Sequence, residues 1–156
     1  MQLLAFTIAG QDYAIESRRV VEVLPLVQAR TLPLAPEYVR GVFTYRGRLV
    51  PLVDLALRLA AGPLHERLST RVIVVDISPP GTEPRLLGIV AENVISICST
   101  EAGDAALPRL ELAAAPFLGR LLRIGGRTVQ VVEVDRLLPD DVAAGLYPAP
   151  EPRERP

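Results

Sequence analysis

Few side chains in this sequence could act as catalysts. There is one histidine, His65, in GPLHERLST beside Glu66 and Arg67, and one cysteine, Cys98, at the end of an apolar run. A thiol and an imidazole within hydrogen-bond reach would make a nucleophile and its base. A small hydrolase or Cys-dependent enzyme would therefore need these two residues to meet in a cleft. Each has a simpler reading. A lone loop histidine lacks the second and third ligands of a zinc site, and a lone cysteine closing a strand pattern is a small buried apolar residue. Three carboxylates, Asp54, Asp76 and Asp135, stand in or at the ends of strand patterns. Acid–base work would need two of them close together with separated pKa values. Asp54 and Asp135 each precede a short helical run, so capping is the expected role. No P-loop, G-x-G-x-x-G or G-x-S-x-G motif is present, and no metal or cofactor is expected.

One residue remains without a plain role. The stretch GVFTYRGRLVPLVDL, from Gly41 to Leu55, reads as strand, sharp turn, strand, with Arg46-Gly47 at the corner. Gly47 supplies the positive φ that such a turn needs. Arg46 either lays its stem over the apolar surface with its charge in water, or holds out a planar donor fork for carboxylates or helix carbonyls of a partner.

The elements that must position these residues are short. LLAFTIAGQDYAIES is a hairpin turning at Gly10-Gln11-Asp12, with Leu4, Phe6 and Ile8 on one face. Ser17 can cap a short helix over RRVVEVL that Pro25 ends, although three valines weaken it. LPLAPEYVRG holds a turn with Pro36 at its first position and Gly41 after it. Pro51 has no N–H, which puts its strand at an edge or a bulge there. Asp54 can cap LALRLAA, which Gly62 stops. RVIVVDI is a continuous apolar strand, SPPGTEP a strong turn, and LLGIVAENVISI the next strand. STEAGDAALPRLELAAAP reads as a long loop with at most one helical turn. FLGRLLRIGGRTVQVVEV is a hairpin around Gly125-Gly126. Asp140 and Asp141 suit the first turn of a short C-terminal helix, and PAPEPRERP is a charged Pro-rich tail expected to be disordered. Short strands between Gly/Pro turns point to an all-β barrel or sandwich. Gly41–Asp54 and Gly119–Leu138 echo one another, each with Gly and Arg at its turn and an Asp-Leu pattern after it.

Composition bounds the rest. The chain has 156 residues, 49% of them apolar, which suits one compact unit with a core of Val, Leu, Ile and Ala. All 17 basic residues are arginine, and the formal net charge is −1, which gives no reason to expect nucleic acid or an anionic membrane. The single cysteine fits a reducing compartment, no basic leader opens the chain, and no apolar run is long enough to span a bilayer. A receiver domain would need an acidic phosphoacceptor pocket with a lysine, and the chain has no lysine.

Taken in order, FTIAGQDYAI, VVEVLPL, LPLAPEYVRGVFTYRGRLVPLVDLALRL, TRVIVV, LLGIVAENV and GRTVQVVEVDRLL resemble the CheW family, the adaptors that couple bacterial chemoreceptors to their histidine kinase. The resemblance runs from about Leu4 to Leu138. It departs at Thr44-Tyr45, where the family has Asn-Leu before Arg-Gly, and at Glu92, where Asp is common. Those departures suggest a paralogue of a specialised chemosensory-like pathway. The resemblance implies two five-stranded SH3-like barrels on a shared apolar seam within one domain, residues 1–147. Subdomains of about 1–62 and 63–138 exchange a strand, and the tail is 148–156. It implies no catalysis, no cofactor, and a cytoplasmic location at receptor arrays on the inner membrane. The expected partners are the regulatory domain of a chemotaxis-type histidine kinase, the cytoplasmic tip of a methyl-accepting receptor and other CheW-like chains, without nucleic acid or membrane insertion. An adaptor of another histidine-kinase pathway, without receptor contact, is the alternative. Receptor contact is expected from Arg46 with Gly41, Val42, Tyr45, Gly47, Ile89 and Val90. Kinase contact is expected on a separate surface, from Val20, Glu22 and Leu24.

Overall fold

A computed structural model describes residues 1–62, 68–99, 105–106 and 112–148. His65, Glu66 and Arg67, and the tail from 149 onward, lie outside the described residues. The backbone of Cys98 lies within them and its side chain does not.

Two sheets carry the fold. The chain opens with strands β1 (Gln2–Ile8) and β2 (Gln11–Glu16), paired antiparallel. Ala9 and Gly10, at φ 49° and 76°, form the two-residue turn whose twist matches that of the strands. Leu4, Phe6 and Ile8 alternate inward, as expected. β2 runs parallel to β10 (Arg127–Val132), which forms a hairpin with β9 (Leu118–Ile124) through Gly125-Gly126. A two-residue strand, β8 (Ala105–Ala106), extends this sheet beyond β9 where the sequence reads as loop.

The second sheet holds β3 (Val20–Pro25), β4 (Val39–Tyr45), β5 (Arg48–Asp54) and β6 (Arg71–Asp76), in the order β3-β6-β7-β5-β4. Strand β7 (Leu86–Ser99) belongs to both sheets. Its first half pairs with β5 and β6, and its second half with β1. Asn93, at φ 45°, and a register shift opposite Ala5–Thr7 mark the bend between the halves. Each sheet thus takes strands from both sides of residue 62. Val72 to Val75 are wholly buried, because β6 lies between two neighbours and under the core. One continuous core joins Phe6, Ile8, Phe117, Val132 and Leu137 to the apolar residues of β5, β6 and β7. Leu3, Ala14, Leu122, Val129 and Val131 form a smaller cluster.

Pro51 stands opposite Val42, whose N–H and C=O both bond to Arg30 instead of β5. The missing N–H therefore costs β4 nothing, and pairing to β7 begins one residue later, at Leu52.

Two local expectations are corrected, the helix after Ser17 and the cap at Asp135. Ser17–Arg19 is a single 3-10 turn, and Val20–Pro25 is a strand and not a helix. Its valines favour the pleated pairing that β6 offers, and tertiary pairing overrides the N-cap signal. The turn expected at Pro36 is present, closed by Val39 N donating to Pro36 O at 2.9 Å, and Gly41 follows it inside β4. Asp135 is exposed within the 3-10 turn Val134–Arg136 and caps nothing. The cap at Asp54 is present, although its helix α1 (Leu55–Arg58) is shorter than LALRLAA. A C-terminal helix α2 (Asp140–Leu146) forms with both aspartates in its first turn. The Tyr147 hydroxyl ties its end to the Leu86 carbonyl at 2.6 Å.

Candidate functional site: the corner between β4 and β5

The turn between Tyr45 and Arg48 has two residues, and both are left-handed: Arg46 at φ 48° and Gly47 at φ 77°. The twist of the strands demands this at both positions. Only Gly47 was expected to need it. Arg46 thus occupies a backbone region that an Asn or Gly takes more readily, at a cost of about 1 kcal/mol. Its side chain remains 71% exposed.

That side chain is held in place. Its Nη2 lies 3.3 Å from Glu22 Oε2, and its guanidinium stands over the Tyr45 ring, 5.2 Å from the centroid. The Tyr45 hydroxyl donates to the same Glu22 oxygen. This hydrogen bond, first, and then burial push the Tyr45 pKa above the ordinary phenol value. Glu22 reaches the corner from β3, just past the register shift between Val20 and Glu22.

The structure sorts the other expected contact residues. Gly41 is a packing requirement: a Cβ there would lie 2.0 Å from the Arg30 carbonyl oxygen. Val42 is half-buried and exchanges hydrogen bonds of 2.8 and 2.9 Å with Arg30. Gly47 completes the turn. Ile89 and Val90 are fully buried between β5 and β6, so the expectation that they touch a partner is corrected. Val20 and Leu24 are half-buried against the core, while Glu22 joins Arg46 and Tyr45. Glu22, expected to face the kinase, thus shares one cluster with Arg46 and Tyr45, expected to face the receptor. Val21 and Val23, 45% and 38% exposed, are the apolar residues that β3 turns outward. The helix reading hid them, and VVEVLP does not alternate apolar with polar residues, so the outward face is set only when β3 pairs with β6.

Among the described residues, Asp54 and Asp76 do not come together as an acid–base pair. Asp54, 1% exposed, accepts from Leu57 N at 3.2 Å and lies 3.5 Å from Arg40 Nη2. Asp76 accepts from Ser78 N, Ser78 Oγ and Arg85 N at 2.9, 2.6 and 3.2 Å. Burial alone would raise its pKa; these bonds and the Arg19 charge reverse the effect and lower it. Asp54 stands opposite Val90 and Asp76 opposite Leu86, about 13 Å apart along β7. The Cys98 side chain and His65 lie outside the described residues. Among the described residues no group of metal-ligating side chains occurs, and no helix is long and apolar enough to cross a membrane.

Known proteins share this architecture. The family model described as CheW-like domain matches residues 2–142. The chemotaxis protein CheW of Klebsiella aerogenes is 28% identical over 146 residues, covering 92% of this chain and 84% of that protein. The chemotaxis protein CheW of Rhizobium meliloti is 27% identical over 143 residues, covering 90% and 88%. The crystal structure of the scaffolding protein TtCheW from Thermoanaerobacter tengcongensis superposes with a TM-score of 0.75 at 20% identity, covering 87% of this chain and 86% of that one. The all-β fold of two small barrels is common to both structures. With the family match spanning both sheets and the Arg-Gly corner, this chain belongs to the CheW-like domain family.

Proposed function

We infer that this protein is a non-enzymatic adaptor of a chemosensory pathway, coupling a methyl-accepting receptor to a chemotaxis-type histidine kinase. One observation carries the placement of its docking surface. An exposed guanidinium stands on a rigid two-residue corner and is aimed by a carboxylate from another strand. A donor fork fixed in this way loses little freedom on binding and suits helix carbonyls or carboxylates. Val21 and Val23 on β3 add exposed apolar surface for the kinase domain. This reading puts the adaptor in the cytoplasm at receptor arrays.

The test is Arg46→Ala in the full chain. Purified receptor-tip fragment and kinase regulatory domain from the same genome are titrated separately, and the fold is followed by circular dichroism. Loss of receptor binding with an intact fold supports the reading. Unchanged affinity for both partners rejects the corner as the docking surface. Loss of the kinase alone favours an adaptor without receptor contact.

A further inference from the structure

The hairpin β4–β5 reaches past the ladder that carries it. β5 pairs with β7 at Leu52–Gly88, Val53–Ile89 and Asp54–Val90, each partner 36 positions further along the chain. Before Leu52 that backbone pairing stops, and residues Arg48 to Pro51 pair with β4 alone among the described residues. Pro51 on one side and Pro84 on the other have no N–H to donate. Phe43, Tyr45 and Val50 still pack on the core, so the inner face of the hairpin is fixed. Its tip depends on side chains.

Arg48, the first residue after the turn, takes over the missing rung. Its Nη2 donates to the Pro84 carbonyl at 3.0 Å. Pro84 is again 36 positions further on, so a side chain continues the register that the backbone leaves. The acceptor is itself held. The carbonyl of Pro84 and the N–H of Arg85 belong to one peptide unit, and that N–H donates to Asp76 Oδ1 at 3.2 Å. The Arg85 carbonyl accepts from Ile77 N at 2.8 Å. One peptide is thus clamped between a guanidinium and a carboxylate, and charged partners make the stronger hydrogen bonds. The corner is braced from two sides: by Glu22 of β3 through Tyr45 and Arg46, and by the turn between β6 and β7 through Arg48.

We propose that Arg48 is a positioning residue for receptor docking: it fixes the tip of the hairpin so that Arg46 meets the receptor, and it acts through Arg46 without touching the receptor itself. The inference rests on the corner being the receptor-docking surface. Without the brace the tip must be ordered again on binding, and that ordering costs affinity.

The test is a double-mutant cycle of Arg48→Ala and Arg46→Ala in the full chain. Each single variant and the double variant is titrated with the receptor-tip fragment and melted. Arg48→Ala should weaken binding about three- to tenfold, the ordering cost of one freed long side chain. Its melting temperature should fall little, because the bond is exposed. In the Arg46→Ala background the same substitution should have no further effect on affinity, since the group that it positions is gone. Normal affinity of Arg48→Ala, with Arg46→Ala defective, overturns the brace and leaves the corner standing. Normal affinity of Arg46→Ala removes the corner and the brace with it. Additive losses in the double variant mean that Arg48 contacts the receptor directly, and a large fall in melting temperature makes Arg48 a general stabiliser; either outcome overturns the proposal.

Discussion

Arg46 and Glu22, 24 positions apart in sequence, meet at 3.3 Å across the mouth of the second sheet. Tyr45 binds the same carboxylate, so Glu22 organises two side chains of the corner at once. The pair is too exposed to matter much for stability, since surface ion pairs contribute about 0–1 kcal/mol. Its consequence is positional. Glu22→Ala should lower the melting temperature through the hydrogen bond that the Tyr45 hydroxyl loses, and should also weaken partner binding, because it frees the Arg46 side chain. Glu22→Arg should do more, by placing two like charges together. Measured against receptor tip and kinase domain, both variants should lose affinity for the partner that Arg46→Ala affects. Loss of the kinase alone would mean that Glu22 acts by direct contact and not through Arg46.

Arg58, the last residue of α1, is sandwiched between aromatic rings. Its guanidinium lies 5.0 Å from the Tyr38 centroid and 4.6 Å from that of Phe117, and its Nε donates to Leu137 O at 2.9 Å. Tyr38 leads into β4 and Phe117 into β9, so this one side chain ties the two sheets together. Arg58→Ala should destabilise the protein by about 2 kcal/mol, the sum of a partly desolvated cation–π contact and a charged hydrogen bond. Arg58→Lys should recover part of this, since lysine keeps the charge and loses the planar stack. Urea denaturation with an unchanged m-value measures both.

What the sequence made legible follows from its periods. Alternation and Gly/Pro punctuation located the hairpins of β1–β2, β4–β5 and β9–β10, and the Asp54 cap was readable from type and position alone. The helix expected after Ser17 failed because a cap is a local signal and β6 is a distant partner. The placement of Ile89 and Val90 failed for a related reason. An apolar run does not reveal whether it is covered on one face or both, and β7 is flanked by β5 and β6. The Glu22–Arg46 contact has no local trace, since it arises only when β3 and the β4–β5 corner come together.

Gly41 should tolerate no side chain. The Cβ of Gly41→Ala would lie 2.0 Å from the Arg30 carbonyl oxygen and 2.6 Å from its carbon, both backbone atoms, at φ 140°. Relief requires breaking the paired hydrogen bonds between Arg30 and Val42. A loss of about 3 kcal/mol or more is expected, in the class of forbidden backbone changes. Denaturation of Gly41→Ala beside Gly47→Ala separates this from turn strain. Gly47 has open space around it, so its alanine variant should bear only the cost of a positive φ.

Asp76 should govern part of the acid response. Its pKa is lowered in the folded protein, where its carboxylate closes the turn between β6 and β7 by accepting from Ser78 and Arg85 N. A folded pKa below the unfolded one stabilises the native state at pH values above the unfolded carboxylate value, near 3.9. The benefit disappears as pH falls from there through the folded pKa, because both states then bind the proton. Asp76→Asn removes the titration and weakens the acceptor. The variant should be less stable than the parent at neutral pH, and the difference should shrink steadily in acid. Chemical denaturation at a series of pH values reads this directly. A difference that stays constant down to the acid end would show that Asp76 acts through its shape and hydrogen bonding, with no contribution from its charge.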